Sequence, residues 1–353
     1  MKKYLCLIFV VTLLLISGSA TYANTPEELY YGSGAIRSMS MKDDGTVIGG
    51  RSSGHTIEVW TSSNRGESWT KIGTVASNDN INYGDVMFMA VSGTDKVYCA
   101  FREKNAEGKY SVVVCRSDNG GYNWVYDSTV ISGCSQFVGA PWLFVTQNGD
   151  MQCYYDSEPL AAENGVSGAQ WIAMQGRDGL TGAWNKYGVV AASRDANSSK
   201  FVRDGMASVV DLGNNRIMVV TEGIEDNKSG GVYSNVVRAI QSNDGGYTWN
   251  YSGRKIVYQS TMDSASGRRY NAYCPMAVRV GNGPVGVVFC TDEDFKGTPD
   301  SSSEDVSKRR THIKYIRTMD NFETWGLLTD IWTGGSKAYA PGIVETSRNN
   351  ILI

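Results

Sequence analysis

Two glutamates, Glu158 and Glu222, carry the most specific chemistry in this sequence. They follow short apolar, strand-like runs, Met151 to Tyr155 and Arg216 to Val220. Two carboxylates brought to one hollow are the minimum apparatus for glycoside hydrolysis, one protonated as acid and one ionised as nucleophile or base. Arg203 is a candidate cation beside the second, where it would favour the ionised form. Trp142, Tyr155 and Tyr273 offer flat faces on which sugar rings stack, and they fit core packing equally well. Arg37, Asp85, Asp204, Asp292 and Tyr339 recur at corresponding ends of strand-like runs and complete the candidate binding set. The competing reading makes all of these rim residues, paired in salt bridges on polar loops.

The elements that would position these groups come from a repeat. Ser62-Ser-Asn-Arg-Gly66-Glu-Ser-Trp69 recurs as Ser117-Asp-Asn-Gly-Gly121-Tyr-Asn-Trp124 and as Ser242-Asn-Asp-Gly-Gly246-Tyr-Thr-Trp249. Thr318 to Trp325 keeps the spacing with Phe322 in place of glycine, and Arg177 to Trp184 is a degenerate copy. The Asn or Asp side chain suits a tight turn because it accepts backbone N–H bonds, and glycine tolerates positive φ. This pattern is an Asp box and resembles the repeats of sialidase-like β-propellers. Between the boxes, apolar runs flank turns such as Asp44-Gly45, Asn148-Gly149 and Gly281-Asn282-Gly283. Each unit reads as four antiparallel strands. The expectation is an all-β fold, a six-bladed propeller over residues 24–353 with its sixth blade incomplete at the C-terminus. The boxes then lie at the turn between third and fourth strands, away from any active site, and the candidate residues converge at the opposite end.

Composition excludes several alternatives. Among 353 residues, 33 Lys and Arg face 36 Asp and Glu, for a formal charge of −3. That balance speaks against a nucleic-acid partner, which calls for a basic face. The only histidines are His55 and His312, too few for a histidine-built zinc site. Lys2 and Lys3, an apolar run to Ile16 and small residues up to Ala23 read as a signal peptide over residues 1–23. The mature protein is therefore expected to be secreted or periplasmic, without a further membrane segment, and monomeric. Six cysteines remain after signal removal, too sparse for a disulfide scaffold. No cofactor or metal is expected. The acidic stretch Asp292-Glu293-Asp294 reads as a solvated loop in preference to a Ca²⁺ site.

At the candidate residues the chain resembles the exo-α-1,5-L-arabinanases of glycoside hydrolase family 93. The resemblance rests on Tyr154-Tyr155-Asp156-Ser157-Glu158, on Arg203-Asp204-Gly205-Met206 with Val219-Val220-Thr221-Glu222-Gly223, on Phe289 to Asp294, and on Ala340-Pro341-Gly342. It implies a retaining enzyme that releases arabinobiose from arabinan ends, with Glu158 as nucleophile and Glu222 as acid/base. True sialidases are the nearest alternative; they use an arginine triad, for which Arg37, Arg203 and Arg268 or Arg269 are candidates, and a tyrosine nucleophile, matched by Tyr339. Against them, Arg37 is followed by Ser38 and Met39, so the sialidase Arg-Ile-Pro pattern is absent. A propeller that only binds glycans is the third reading.

Overall fold

The computed structural model describes Ile36 and residues 38–193, 203–224, 234–294, 311–320, 322–333, 340–347 and 350–353. Residues 1–23, read above as a signal peptide, and Arg37 and Tyr339 fall outside these residues. Five four-stranded antiparallel sheets follow one another along the described chain. Blade 1 comprises β1 (Ser38–Met41), β2 (Val47–Ser52), β3 (Thr56–Ser62) and β4 (Thr70–Ser77). Blade 2 comprises β5 (Ile81–Ala90), β6 (Val97–Asn105), β7 (Tyr110–Ser117) and β8 (Val125–Cys134). Blade 3 comprises β9 (Val138–Val145), β10 (Met151–Ser157), β11 (Trp171–Arg177) and β12 (Lys186–Ala191), with the short helix α1 (Glu158–Glu163) after β10. Blade 4 comprises β13 (Asp204–Gly213), β14 (Arg216–Ile224), β15 (Asn235–Ser242) and β16 (Lys255–Tyr258). A small ribbon of β17 (Met262–Asp263) and β18 (Arg268–Arg269) precedes blade 5, which comprises β19 (Ala272–Arg279), β20 (Val285–Thr291), β21 (His312–Asp320) and β22 (Thr324–Trp332).

Five complete blades, and not six, are therefore present among the described residues. The last element is a two-stranded hairpin, β23 (Val344–Ser347) and β24 (Asn350–Leu352). Packing shows how it is used. The apolar core is divided among the seams between successive sheets, because each strand buries a face against the neighbouring blade. Ile48 and Ile57 of blade 1 meet Phe88 and Phe101 of blade 2, and corresponding clusters fill the next three seams. Ile343, Ile351 and Ile353 then pack on Met276 and Val288 of blade 5, while Val344 and Leu352 pack on Val47 of blade 1. The hairpin thus joins the last complete blade to the first.

The repeated boxes form one turn geometry between third and fourth strands. In blade 4 the Ser242 hydroxyl accepts from Gly246 N (2.9 Å), Asp244 Oδ1 accepts from Thr248 N (3.0 Å), and Trp249 Nε1 donates to Gly246 O (2.9 Å). Blade 2 repeats this with Ser117, Asn119, Gly121 and Trp124. Gly246 has φ +92°, and a Cβ there would lie 2.5 Å from the Tyr154 hydroxyl of blade 3. The box therefore needs glycine for both backbone and space. At the corresponding place in blade 5, Phe322 holds φ 66°. Its ring lies in the seam core, with the guanidinium of Arg279 5.7 Å from the ring centre.

Candidate active site

The innermost strands of blades 2 to 5 are interrupted at equivalent points. Register shifts occur at Gly84/Met87, opposite Tyr154/Asp156, at Gly205/Ser208 and at Tyr273/Met276. An extra residue in each strand takes the left-handed conformation: Asp85 (φ 54°), Ala140 (44°), Met206 (55°) and Cys274 (52°). Such bulges bend a strand and re-aim its groups. Three of the re-aimed amides donate to a carboxylate of the preceding blade. Ala140 N reaches Asp85 Oδ2 (3.3 Å), Met206 N reaches Asp156 Oδ1 (2.9 Å), and Cys274 N reaches Glu222 Oε2 (2.8 Å).

A cavity of ≈ 310 Å³ opens at these bulges. Its walls come from blades 1 to 4 and from Ala340, and its charged lining is Arg51, Asp85, Asp156 and Arg203. Arg203 Nη2 pairs with Glu222 Oε1 at 2.6 Å, so the cavity wall carries the counter-charge of a glutamate that is itself almost fully buried. Asp156 is 1% exposed, and Gln170 Nε2 donates to its Oδ2 at 2.8 Å. Burial pushes the Asp156 carboxyl well above the usual carboxylate range; Arg203 opposes the push, while the charges of Glu222 and Asp85 add to it. Asp85 accepts from Arg102 Nε (3.0 Å), and Arg51 is fixed by Glu58 at 2.9 Å. Lys71, then Arg51, hold the Glu58 carboxyl down at about 2.

The remaining candidates are placed as follows. Glu158 is the first residue of α1, capped by Ser157, and its Oε2 accepts from Phe137 N at 3.0 Å. Phe137 lines the cavity, whereas Glu158 does not. Register pairs Glu222 with Gly205 and Asp156 with Gly139, so the blade 3 counterpart of Glu222 is Asp156, two residues before Glu158. The corresponding residues are Arg102 in blade 2 and Cys290 in blade 5. Asp156 stood in the sequence at the end of the same strand-like run, and the signal that singles it out is the glycine opposite each carboxylate. At Gly205 the absence of a side chain gives room to Gln170 and to the Arg203 guanidinium.

Asp204 is buried against Arg238 of blade 4 and accepts from Ser193 N at 2.9 Å, so it ties blade 4 to the chain leaving blade 3. Asp292 accepts from the Asn271 side chain at 3.1 Å, outside the cavity lining. Glu293 and Asp294 engage Lys314 at 2.7 and 2.9 Å, so these neighbours of Asp292 serve a local ion cluster. Tyr155 is buried in the seam between blades 2 and 3, its hydroxyl accepting from Gln175 at 3.2 Å. Tyr273 packs with Ala140, Met206 and Ala340 directly around the bulges. Trp142, on β9, touches the cores of blades 2–3, blades 3–4 and blade 5 with the hairpin. A blade 3 residue reaching blade 5 crosses the middle of the ring, so Trp142 fills its centre. Arg268 and Arg269 form β18, and Arg269 donates to Ser260 O. Among the described residues, Cys99, Cys115, Cys153, Cys274 and Cys290 are buried and Cys134 is half-buried.

No protein-family model matches the sequence, and no curated protein sequence matches it significantly. Solved structures do. The GH93 α-L-arabinofuranosidase of Fusarium graminearum, solved with arabinobiose, superposes with a TM-score of 0.62 at 17% identity, covering 90% of this chain and 86% of that one. The α-L-arabinanase of Penicillium chrysogenum, also with arabinobiose, gives 0.58 at 17% identity over 90% and 87%. The fold is a β-propeller of four-stranded antiparallel blades. A Hadza microbial sialidase shares it, with a TM-score of 0.55 at 14% identity over 89% of this chain and 61% of that one. At these identities the likeness establishes the architecture, with the GH93 arabinanases among the neighbours, and leaves chemistry to the site.

Proposed function

We propose that this chain is an exported glycoside hydrolase that removes arabinobiose from the ends of α-1,5-arabinan by a retaining, two-carboxylate mechanism. The observation that carries this reading is the junction of blades 3 and 4: Asp156 and Arg203 line one cavity, and Arg203 binds Glu222 at 2.6 Å. A retaining hydrolase needs one carboxyl group to protonate the leaving oxygen and another to form the glycosyl ester. Arginine beside one of two neighbouring carboxyls gives them different proton affinities, which is what the two roles require. The arabinan preference follows the motif resemblance and the likeness to two structures that hold arabinobiose. In the same reading the C-terminal hairpin stands for the sixth sector of a six-bladed ring, and the protein acts outside the cytoplasm as a monomer without cofactor.

Incubating the purified mature protein with linear α-1,5-arabinan and, separately, with a sialoside tests the proposal. Chromatography should show arabinobiose, and proton NMR should show that the first-formed product keeps the substrate's anomeric configuration. Release of sialic acid with arabinan untouched would transfer the protein to the sialidase reading. Arabinan binding without release of any sugar would make it a glycan-binding propeller.

A further inference from the structure

We propose that Asp156, in place of Glu158, is the carboxyl that works with Glu222, and that Asp156 is the proton donor and Glu222 the nucleophile, the reverse of the role the family resemblance implies for Glu222; the inference rests on the glycosidase reading above. Three independent features of the backbone and cavity select it. Asp156 occupies the strand position equivalent to Glu222, each opposite the glycine that precedes a left-handed bulge. Both side chains accept from the bulge amide of the following blade, Met206 N at 2.9 Å and Cys274 N at 2.8 Å, so the two carboxyls are presented alike around one centre. Asp156 lines the cavity and Glu222, itself outside the lining, meets it through the guanidinium of Arg203, whereas Glu158 begins a helix and is turned to the Phe137 amide.

Charge then divides the roles. Glu222 has the Arg203 guanidinium on Oε1. Asp156 has only the Met206 and Gln170 N–H groups on its oxygens, and among the described residues no cation pairs with it directly. A buried carboxyl without its own cation retains a proton more readily than one with it. In the first step Asp156 gives its proton to the glycosidic oxygen as the C1–O bond breaks, and a Glu222 oxygen bonds to C1 as the sugar ester. In the second, the Asp156 carboxylate takes a proton from water, the water oxygen bonds to C1, and the ester C1–O bond to Glu222 breaks. Both side chains return to their starting forms.

The test uses the full mature protein with Asp156→Ala, Glu222→Ala and Glu158→Gln, assayed on arabinan and on a dinitrophenyl α-L-arabinobioside. Asp156→Ala should lower arabinan turnover by about 10²-fold or more, the scale of general acid catalysis. It should still cleave the dinitrophenyl glycoside, whose leaving group needs no proton. Azide should then accelerate turnover and yield a glycosyl azide of retained configuration. With Glu222→Ala the azide product should be inverted, and Glu158→Gln should change arabinan turnover less than about 10-fold, below the general-acid scale. Asp156→Asn, checked for native circular dichroism, guards against a folding defect. Arabinan turnover within a few-fold of wild type in both Asp156 variants would overturn the inference alone, as would azide rescue in the Glu158 variant. Wild-type protein inactive on both substrates would remove the glycosidase reading and this assignment together.

Discussion

At the scale of single residues, the site depends on Arg203 serving two carboxyls. It pairs with Glu222 at 2.6 Å and opposes the upward push that burial exerts on Asp156. Replacing it should therefore affect both. Arg203→Met leaves Glu222 buried without a counter-charge, a situation that costs 3–5 kcal/mol in fully buried pairs. Arg203 is 30% exposed. Solvent screening reduces the expected loss to about 2 kcal/mol, readable as a lower urea midpoint. Activity on arabinan should fall by more than about 10²-fold, because the charge asymmetry that separates acid from nucleophile disappears. A variant of wild-type stability and turnover would show that the ion pair is ornamental. The residue types at this site were legible in the sequence, as were Arg203 and Glu222 as neighbours. Which of Asp156 and Glu158 corresponds to Glu222 was not. The apolar runs that precede them end at different offsets, and the bulge that settles the register leaves no mark beyond a glycine on the opposite strand.

At the scale of elements, the boxes read from the sequence as turns fold as turns, because their bonding is local. Ser242, Asp244, Gly246 and Trp249 satisfy one another within eight residues of chain. What could not be read is their second role. Gly246 is held against Tyr154 and Gln152 of the preceding blade, and Gln152 Nε2 donates to Gly245 O at 2.7 Å. Gly246→Ala should consequently do more than strain one turn. The positive φ costs about 1–2 kcal/mol for a side-chain-bearing residue. The added methyl must also displace the buried tyrosine hydroxyl, for a total of about 2–4 kcal/mol with the overpacking cost included. Thermal denaturation should show the loss, while the same substitution at Gly45, where no atom lies within 4 Å, should show only the backbone share. Equal shifts at the two positions would mean that the box does not clamp the seam. Phe322 extends the point: its bulk fills the seam at φ 66°, so backbone strain there is exchanged for packing.

At the scale of the whole molecule, the number of blades was the weakest part of the sequence reading. Repeats announce complete units well, since each carries its own turns, but a partial unit has only its apolar residues to declare it. Ile343, Val344, Ile351, Leu352 and Ile353 do so in the structure, dividing themselves between blade 5 and blade 1. Among the described residues, this hairpin packs on both ends of the ring. Removing residues 340–353 should expose both facing surfaces, lower the melting temperature by 10 °C or more, on the order of several kcal/mol, and abolish turnover, because Ala340 belongs to the cavity wall. Cooperative unfolding at the wild-type temperature in the shortened chain would show that the ring closes without the hairpin.

One register position recurs around this ring, occupied by Arg102, Asp156, Glu222 and Cys290 in successive sectors. Backbone geometry at these places is nearly invariant, while the side chain runs from cation through two acids to a thiol. The scaffold thus behaves as a set of interchangeable sockets. An engineer seeking a new specificity would vary those four letters and leave untouched the residues opposite, glycine in three sectors and Tyr273 in the fourth, since the frame already tolerates each kind of occupant.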